Sequence, residues 1–305
     1  MLSIVVSVYN EAEVLDTFHE NIHHVLQLND LEYELIFVND GSSDSSQAIL
    51  DRLAGRNKNI RLLQFSRNFG HEAAMIAGID YAVGEAIICM DADMQHPPLK
   101  IPEIYNRYKN GDVDIINMVR IEKEKNIKSK LFYFFINKIS PLRLEPNASD
   151  FFLISARVAK ILRNDYRERV RFLRGFIQII GFNKATIQFE LEARKAGESK
   201  YPIRKLLSLS VTAVATLSKL PLKAGIYIGF ISALFSIALV MYSIFMKFID
   251  QPVPGYTTIV VFMGIMFSMQ FFILGIIGEY IGFLFDEQKG RPLYIVDKLT
   301  NFDDV

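Results

Sequence analysis

The chain has 305 residues, and its 34 Lys and Arg residues balance its 34 Asp and Glu residues, so the formal net charge is zero. This balance argues against a nucleic-acid-binding protein, which usually carries a net positive field. Half of the residues are hydrophobic and only 22% are charged, which excludes a disordered chain. The single cysteine, Cys89, excludes an internal disulfide and a cysteine-based zinc site.

The N-terminal part alternates apolar strands with amphipathic helices. The predicted order is strand 3–8, helix 11–28, strand 33–39, helix 43–54, strand 60–65, helix 70–82, strand 86–90, helix 99–109 and strand 113–118. Continuous apolar runs such as 3–8 are typical of strands that are buried on both faces. The alternation therefore predicts an α/β fold with a mostly parallel sheet and helices on both faces.

Polar segments follow four of these strands, at the sheet edge where ligands bind in open α/β folds. The segments are 8–11, 39–44, 66–71 and 91–98. The chain contains neither a G-x-G-x-x-G nor a G-x-x-x-x-G-K-[ST] motif, so nothing points to a dinucleotide-binding fold or a P-loop.

One of these polar segments carries an acidic pair, Asp91 and Asp93. Residues two apart at a strand end point the same way, and two neighbouring carboxylates are costly unless a cation neutralises them. Oxygen ligands suit Mg²⁺ or Mn²⁺, and these metals often also hold substrate phosphates. The pair therefore predicts a metal site, with a solvated turn or a helix cap as the alternative.

Two uncharged apolar runs lie near the C-terminus, at 224–246 and 257–277. As a helix, the first run would be about 34 Å long, enough to cross a bilayer core of roughly 30 Å. The connector 248–256 contains two prolines and a glycine, which favours a tight turn. We therefore predict a transmembrane hairpin with the lipid bilayer as its partner; a buried hairpin in a soluble core is the alternative.

The charges that flank the hairpin predict its orientation. The connector side offers Lys247 and Asp250, whereas the other side carries seven basic residues: Arg204, Lys205, Lys219, Lys223, Lys289, Arg291 and Lys298. By the positive-inside rule, both termini and the N-terminal domain lie in the cytoplasm. No signal peptide is expected, because residues 1–3 run directly into a strand. The prediction is a multi-pass protein of the cell membrane.

Taken in order, the polar strand ends resemble those of a known enzyme family. The segments 9–11 (YNE), 39–42 (NDGS), 67–70 (RNFG) and 91–93 (DAD), followed by Gln95 and two prolines, are similar to inverting family-two glycosyltransferases of the GT-A fold. Downstream, 150–151 (DF), 194–201 (RKAGESKY), 221–222 (PL), 278–282 (GEYIG) and 291–294 (RPLY) resemble the polyprenyl-phosphate glycosyltransferases. These include dolichyl-phosphate mannose synthases and bactoprenol glucosyltransferases, and the two-helix anchor resembles the bactoprenol branch best. The resemblance covers nearly the whole chain.

This resemblance implies roles for individual residues. The nucleotide of the donor is held by Ser7, Tyr9, Glu11, Val38 and Asp40, and the donor diphosphate by the segment that contains Asp91, Ala92, Asp93 and Gln95. Asp91 and Asp93 hold the metal, Mg²⁺ or Mn²⁺. Phosphate groups are bound by Arg120, Arg194 and Lys200. The catalytic set is Asp150, Arg120 and Arg194, with Asp150 near the acceptor. Because a lipid phosphate is already largely ionised at neutral pH, we expect Asp150 to position the metal or the acceptor rather than to act as a strong base.

The implied domain organisation has four parts. A cytosolic GT-A-like domain at 1–200 is followed by an amphipathic juxtamembrane helix at 201–221, two transmembrane helices within 222–285 and a cytosolic tail at 286–305. The transmembrane helices also offer a surface for association between copies of the chain.

The predicted function is inverting transfer of a sugar from a nucleotide-sugar to undecaprenyl phosphate, a polyprenyl phosphate, which gives a polyprenyl monophosphate sugar. UDP-glucose is the first choice of donor, ahead of UDP-N-acetylglucosamine and GDP-mannose. One alternative is a processive polysaccharide synthase, but that class typically uses a Q-x-x-R-W motif and this chain has no tryptophan. The other is a non-enzymatic membrane scaffold or flippase subunit, which would not need the Asp91/Asp93 pair.

Overall fold

The structure, a computed structural model, describes residues 1–121, 148–168, 173–190, 220–249 and 255–302. Over these residues the chain forms two compact units. The first unit contains the strands and the shorter helices, and the second contains two long helices.

The first unit is built from eight described strands and six described α-helices. Its strands are β1 (Leu2–Val8), β2 (Tyr33–Asn39), β3 (Ile60–Phe65), β4 (Ala86–Asp91), β5 (Ile115–Arg120), β6 (Ala148–Ser155), β7 (Lys184–Phe189) and β8 (Val296–Thr300). Its helices are α1 (Leu15–Leu28), α2 (Ser46–Arg56), α3 (His71–Tyr81), α4 (Ile101–Lys109), α5 (Ala156–Asn164) and α6 (Leu173–Ile179), with a short 3₁₀ helix (Pro98–Lys100) before α4.

The strands form one sheet in the order β7-β5-β6-β4-β1-β2-β3-β8. Strand β1 pairs in parallel with β2 and β4, β2 with β3, and β5 with β7. Strand β6 runs antiparallel between β4 and β5, and β8 runs antiparallel to β3. The predicted fold class, a mostly parallel sheet with helices, is confirmed.

Helices cover both faces of this sheet because the central strand is apolar on both sides. Ile4 and Val6 of β1 are fully buried in a core that includes residues of α1, α2 and α4. Val5, between them, is fully buried in a second core that includes residues of α3, α5 and α6. The period of two along a strand sends neighbouring side chains to opposite faces, so β1 contributes to both cores.

Helix α3 packs against β1 at very short range. Gly78 sits directly over Val5, and a Cβ atom built on this glycine would lie 2.1 Å from Val5 Cγ1. A run of small residues, Ala73, Ala74 and Ala77, is fully buried on the same helix. Small side chains therefore allow α3 to lie close to the sheet, and its first residue, His71, comes down near the ends of β1 and β4.

The described part of the C-terminal tail belongs to the first unit, where it contributes the edge strand β8. Tyr294 stacks on Phe65 with ring centroids 5.2 Å apart, and its hydroxyl donates to Asp80 Oδ2 at 2.7 Å. Asn301, in the left-handed region at φ +61°, donates through Nδ2 to the carbonyls of Ala54 and Ile60, each at 2.8 Å. Residues 296–300 thus pair with β3, which would otherwise be the outermost strand on that side of the sheet.

The second unit consists of α7 (Leu220–Phe248) and α8 (Tyr256–Gln288). Each contains a stretch long and apolar enough to cross a membrane, Gly225–Met246 in α7 and Val261–Gln288 in α8. Large apolar side chains point outward from both helices; Phe230 is 65% exposed and Phe271 is 69% exposed. An apolar surface of this extent is typical of a membrane or protein interaction surface.

Candidate active site

The carboxyl ends of the central strands place three of the sequence-predicted residues in one row. Ser7 of β1 lies opposite Asp91 of β4 on one side and opposite Val38 of β2 on the other. Paired residues of neighbouring strands point to the same face of a sheet, and Val38 belongs to the core on the α3 face. Ser7 and Asp91, both partly buried, therefore point toward α3.

His71, the first residue of α3, lies between Asp91 and a second carboxylate, Asp150 of β6. Its Nδ1 is 2.9 Å from Ser7 Oγ and 3.6 Å from Asp91 Oδ1, and its Nε2 is 3.5 Å from Asp150 Oδ2. Burial alone would lower the pKa of His71, but the negative charges of Asp91 and Asp150 outweigh it and raise the pKa to about 10. His71 therefore bridges the two carboxylates, and their negative charge favours its imidazolium form.

Arg174, the second residue of α6, binds Asp150 with both arms of its guanidinium fork. Nε donates to Oδ1 at 2.5 Å, and Nη2 donates to Oδ2. Burial alone would raise the pKa of Asp150, but the charges and hydrogen bonds of Arg174 and His71 hold it far below its usual range. Asp150 is therefore an ionised carboxylate at neutral pH.

The turn after β4 is shaped by Asp93 and His96. Asp93 Oδ1 accepts the backbone N–H of Gln95 at 3.0 Å, and the backbone N–H of Asp91 donates to Nδ1 of His96, also at 3.0 Å. The His96 ring is fully buried and stacks on Phe151 at a centroid distance of 5.2 Å. Burial lowers the pKa of His96, which favours the neutral ring that can accept this hydrogen bond through Nδ1. His96 therefore fixes the backbone at the start of the turn. Asp91 and Asp93 remain at the edge of the sheet, where each is partly buried.

Three of the residues predicted to contact the donor are buried in the structure. The side chains of Val38 and Ala92 belong to the core, with at most 1% of their surface exposed. Asp40 is 2% exposed, and its carboxylate accepts the backbone N–H groups of Phe69 at 2.6 Å and Gly70 at 2.9 Å. Asp40 therefore holds the loop that leads into α3, and its contact with a nucleotide stays a prediction.

Tyr9 and Glu11 lie on the loop that follows β1. The Tyr9 side chain is 48% exposed and is accessible to a ligand. The backbone N–H of Glu11 donates to Ser46 Oγ, and that of Asn10 donates to Ser42 Oγ, each at 3.0 Å. These bonds tie the loop to the one that follows β2, so two of the segments predicted to bind the nucleotide lie side by side.

The predicted phosphate-binding residues are only partly described. Arg120 is the last residue of β5, across from Phe189 of β7, and is half-buried. Its Nε is buried and makes no hydrogen bond to any residue within the described ranges. Arg194 and Lys200 lie outside the described residues, as does nearly all of the predicted juxtamembrane helix.

The residues around Asp91 fit a divalent cation. One oxygen from Asp91, one from Asp150 and a ring nitrogen of His71 all lie within 4.8 Å of one another. Carboxylates suit Mg²⁺ and Mn²⁺, whereas an imidazole must lose a proton before it can ligate. Asp91 belongs both to this group and to the predicted Asp91/Asp93 pair. Asp150 is already bound by Arg174, so Asp91 is the carboxylate of the group on which we base the metal site.

The sequence interpretation missed two of the charged residues in this cluster. It noted that His71, at the end of the polar segment 66–71, stands where lysine is frequent in the family that the chain resembles, but it did not include His71 among the site residues. It did not single out Arg174, which lies in no motif and meets Asp150 only through the packing of α6. The position of His71 directly after a polar strand end was the one signal that pointed to the site.

Comparison with known proteins agrees with the fold and the motifs. Residues 3–159 match the model of the family described as Glycosyl transferase family 2. An uncharacterized glycosyltransferase of Bacillus subtilis is 35% identical over 97% of this chain and 93% of its own length. The SfII prophage-derived bactoprenol glucosyl transferase of Shigella flexneri is 33% identical over 97% of both chains.

Among solved structures, glucosyl-3-phosphoglycerate synthase from Mycobacterium tuberculosis has a similar fold. That protein was crystallised with Mn²⁺, uridine diphosphate and phosphoglyceric acid. It aligns with a TM-score of 0.50 and 16% sequence identity, covering 71% of this chain and 77% of its own.

Proposed function

The chain belongs to glycosyl transferase family 2, and we propose that it transfers glucose from UDP-glucose to a polyprenyl phosphate such as undecaprenyl phosphate. The observation that carries this proposal is the match, over 97% of both chains, to relatives named bactoprenol glucosyl transferase. The match includes the apolar C-terminal helices as well as the catalytic domain. Apolar helices of this kind would keep an enzyme beside a lipid acceptor, which a soluble acceptor would not require.

The geometry at the carboxyl edge of the sheet suits a donor that carries a diphosphate. A divalent cation bound at Asp91 would neutralise the negative charge that grows on the leaving nucleotide. The residues themselves then have separate tasks: Asp93 shapes the turn beside Asp91, and Arg120 offers a guanidinium at the same edge. The arginine fork matches phosphate oxygens, so Arg120 is the described residue best suited to bind a phosphate.

Asp150 is better suited to position a group than to remove a proton. Both of its oxygens accept hydrogen bonds from Arg174, and Oδ2 also faces His71. The phosphate monoester of the acceptor is largely ionised at neutral pH, so its oxygen can attack without prior deprotonation. A single displacement of this kind inverts the configuration at the anomeric carbon.

We further propose that α7 and α8 anchor the chain in the membrane, with the catalytic domain and both termini in the cytoplasm. The exposed apolar side chains of both helices and the excess of lysine and arginine outside the connector support this arrangement. The anchor would keep the domain close to its lipid substrate.

Transfer by the purified full chain in detergent tests the proposal. Undecaprenyl phosphate would be incubated with radiolabelled UDP-glucose, UDP-N-acetylglucosamine or GDP-mannose, and label would be counted in the organic phase. We expect labelled lipid with UDP-glucose, dependent on a divalent cation and lost in excess EDTA. Labelled lipid with only another donor would overturn the choice of sugar. No labelled lipid with any donor, from a folded protein, would overturn the proposed function.

A further inference from the structure

The carboxylate of Asp150 is held from two sides by two helices that are far apart in sequence. Helix α3 contributes His71, and α6 contributes Arg174. The two helices are also joined directly, because the backbone N–H of Leu173, the first residue of α6, donates to Glu72 Oε2 at 2.9 Å. His71 and Glu72 are neighbours, so the first turns of α3 and α6 form one hydrogen-bonded frame around Asp150.

We propose that Arg174 is a positioning residue for the transfer reaction, which fixes the Asp150 carboxylate against His71 and Asp91. A bidentate arginine–carboxylate pair defines the plane of the carboxylate as well as its position. This inference rests on the proposed function, because Asp150 lies in the site assigned to transfer.

The charges around Asp150 show what Arg174 does for the position of its carboxylate. Two carboxylates, those of Asp91 and Asp150, face His71 at 3.6 and 3.5 Å, and like charges at this range repel one another. Without Arg174, Asp150 would lose both of the hydrogen bonds that fix the plane of its carboxylate. We therefore expect the Asp150 carboxylate to rotate away from His71 and Asp91.

The chain provides a matched control at the opposite edge of the same sheet. Arg157 binds Asp114 through the same two donor atoms, Nε to Oδ1 and Nη2 to Oδ2. Asp114 directly precedes β5, so this pair lies at the amino end of a strand whose carboxyl end carries Arg120. Loss of either arginine removes one bidentate pair, but only Arg174 touches the proposed site.

The experiment compares kinetics and melting of the full-length Arg174→Ala, Arg174→Lys and Arg157→Ala variants. For Arg174→Ala we expect kcat to fall about 10- to 100-fold while the donor KM stays within about threefold. A loss of this size corresponds to the free energy that a hydrogen bond to a charged group contributes, converted into a change in rate. Arg174→Lys should recover part of the loss, because it keeps the charge but not the fork. Arg157→Ala should stay within about twofold of the wild type. Equal kcat losses in the two alanine variants would show a merely structural role and overturn the inference.

A double-variant cycle tests whether Arg174 acts through Asp150. The Arg174→Ala/Asp150→Asn protein should be no slower than Asp150→Asn alone, because the group that Arg174 positions is already changed. Losses that multiply would mean that Arg174 acts independently, and the inference would be wrong.

A third measurement does not depend on activity and separates failure of this inference from failure of the proposed function. The ring Cε1–H resonances of the five histidines can be observed by NMR, with His71→Gln used to assign His71. Arg174→Ala should shift the His71 signal, and Arg157→Ala should leave it unchanged. An unchanged His71 signal in Arg174→Ala would overturn the positioning role, even if the wild-type protein transfers no sugar.

Discussion

Replacing Gly78 by alanine should destabilise the catalytic domain, although alanine is the better helix former. The added Cβ would lie 2.1 Å from Val5 Cγ1, 3.0 Å from Val5 Cγ2 and 3.1 Å from Val5 Cβ, well inside ordinary contact distance. Valine is branched at Cβ and has little freedom about χ1. Val5 also sits in the central strand β1, between β2 and β4, so its backbone cannot move away.

The size of the effect follows from two opposing contributions. Overpacking a core by a methyl group costs about 1–3 kcal/mol, and the clash here favours the upper end. The helix preference of alanine over glycine returns at most about 1 kcal/mol. We expect a net loss of about 2 kcal/mol in the free energy of unfolding, which corresponds to a fall in Tm of about 4–8 °C for a domain of this size.

Gly55→Ala is the matched control, because it makes the same chemical change at an exposed position in α2. A Cβ at Gly55 has no atom within 4 Å, so helix preference acts without a clash. This variant should gain about 0.5–1 kcal/mol, and its Tm should rise by about 1–4 °C. The effect of a glycine-to-alanine substitution on Tm should therefore be negative in α3 and positive in α2.

The single cysteine provides the assay. Cys89 lies fully buried in β4, and burial raises the pKa of its thiol, so a thiol-reactive dye reports its exposure on unfolding. Melting would be followed with this dye in detergent for both glycine variants and for Val5→Ala/Gly78→Ala. The double variant should melt above Gly78→Ala, because removal of the Val5 methyl groups relieves the clash. A Gly78→Ala protein that melts at or above the wild-type Tm would refute the close-packing argument.

Three further predictions concern the metal, the tail and pH. Asp93→Asn should lose most transfer activity while its Tm stays within a few degrees, because it removes charge from the predicted metal site; wild-type rates in this variant would refute that role. Asn301→Ala should lose the two hydrogen bonds that Nδ2 donates to the backbone, as well as an exposed one from Lys58. The cost of about 2 kcal/mol should lower Tm by about 4–8 °C, and an unchanged melting curve would be the contrary result. The hydrogen bonds from Arg157 lower the pKa of Asp114. The ionised Asp114 carboxylate therefore stabilises the fold at pH values above its ordinary pKa of 3.8, and this contribution is lost as the pH falls below that value. The Tm difference between wild type and Asp114→Asn should thus be present at pH 7 and shrink toward pH 3, and a difference that grew on acidification would contradict this sign.

Local hydrophobic pattern predicted the first half of the fold well because each element there is apolar enough to be recognised alone. The predicted strands 33–39 and 60–65 coincide with β2 and β3, and the helix 70–82 is within one residue of α3 at each end. The helix expected from residue 11 begins only at Leu15. Its first backbone N–H groups are instead bonded by the neighbouring loop, with Ala12 donating to Asp44 Oδ2 at 3.1 Å. The boundary was set by a contact that no local pattern records.

The later strands needed the tertiary structure. Strand β8 has the sequence VDKLT, which shows little of the apolar run expected for a strand, and it follows the two long helices. It is a strand because β3 leaves an edge that β8 can pair with and because Asn301 and Tyr294 fasten the segment beside it. The sequence alone had assigned the tail to a separate part of the chain.

For the site, sequence determined which polar residues follow the strands, and tertiary structure decided which of them meet. The spacing of Asp91 and Asp93 predicted a pair on one side of the strand end, and that pair stays a prediction: β4 ends at Asp91, and Asp93 lies in the turn after it, outside the group of His71, Asp91 and Asp150. The contacts of Asp150 with His71 and Arg174 join three elements that meet only when α3 packs on β1 and α6 packs on the same face. Charges brought together by packing carry no periodicity along the chain, so their partners and their pKa values follow from the fold and not from the sequence pattern.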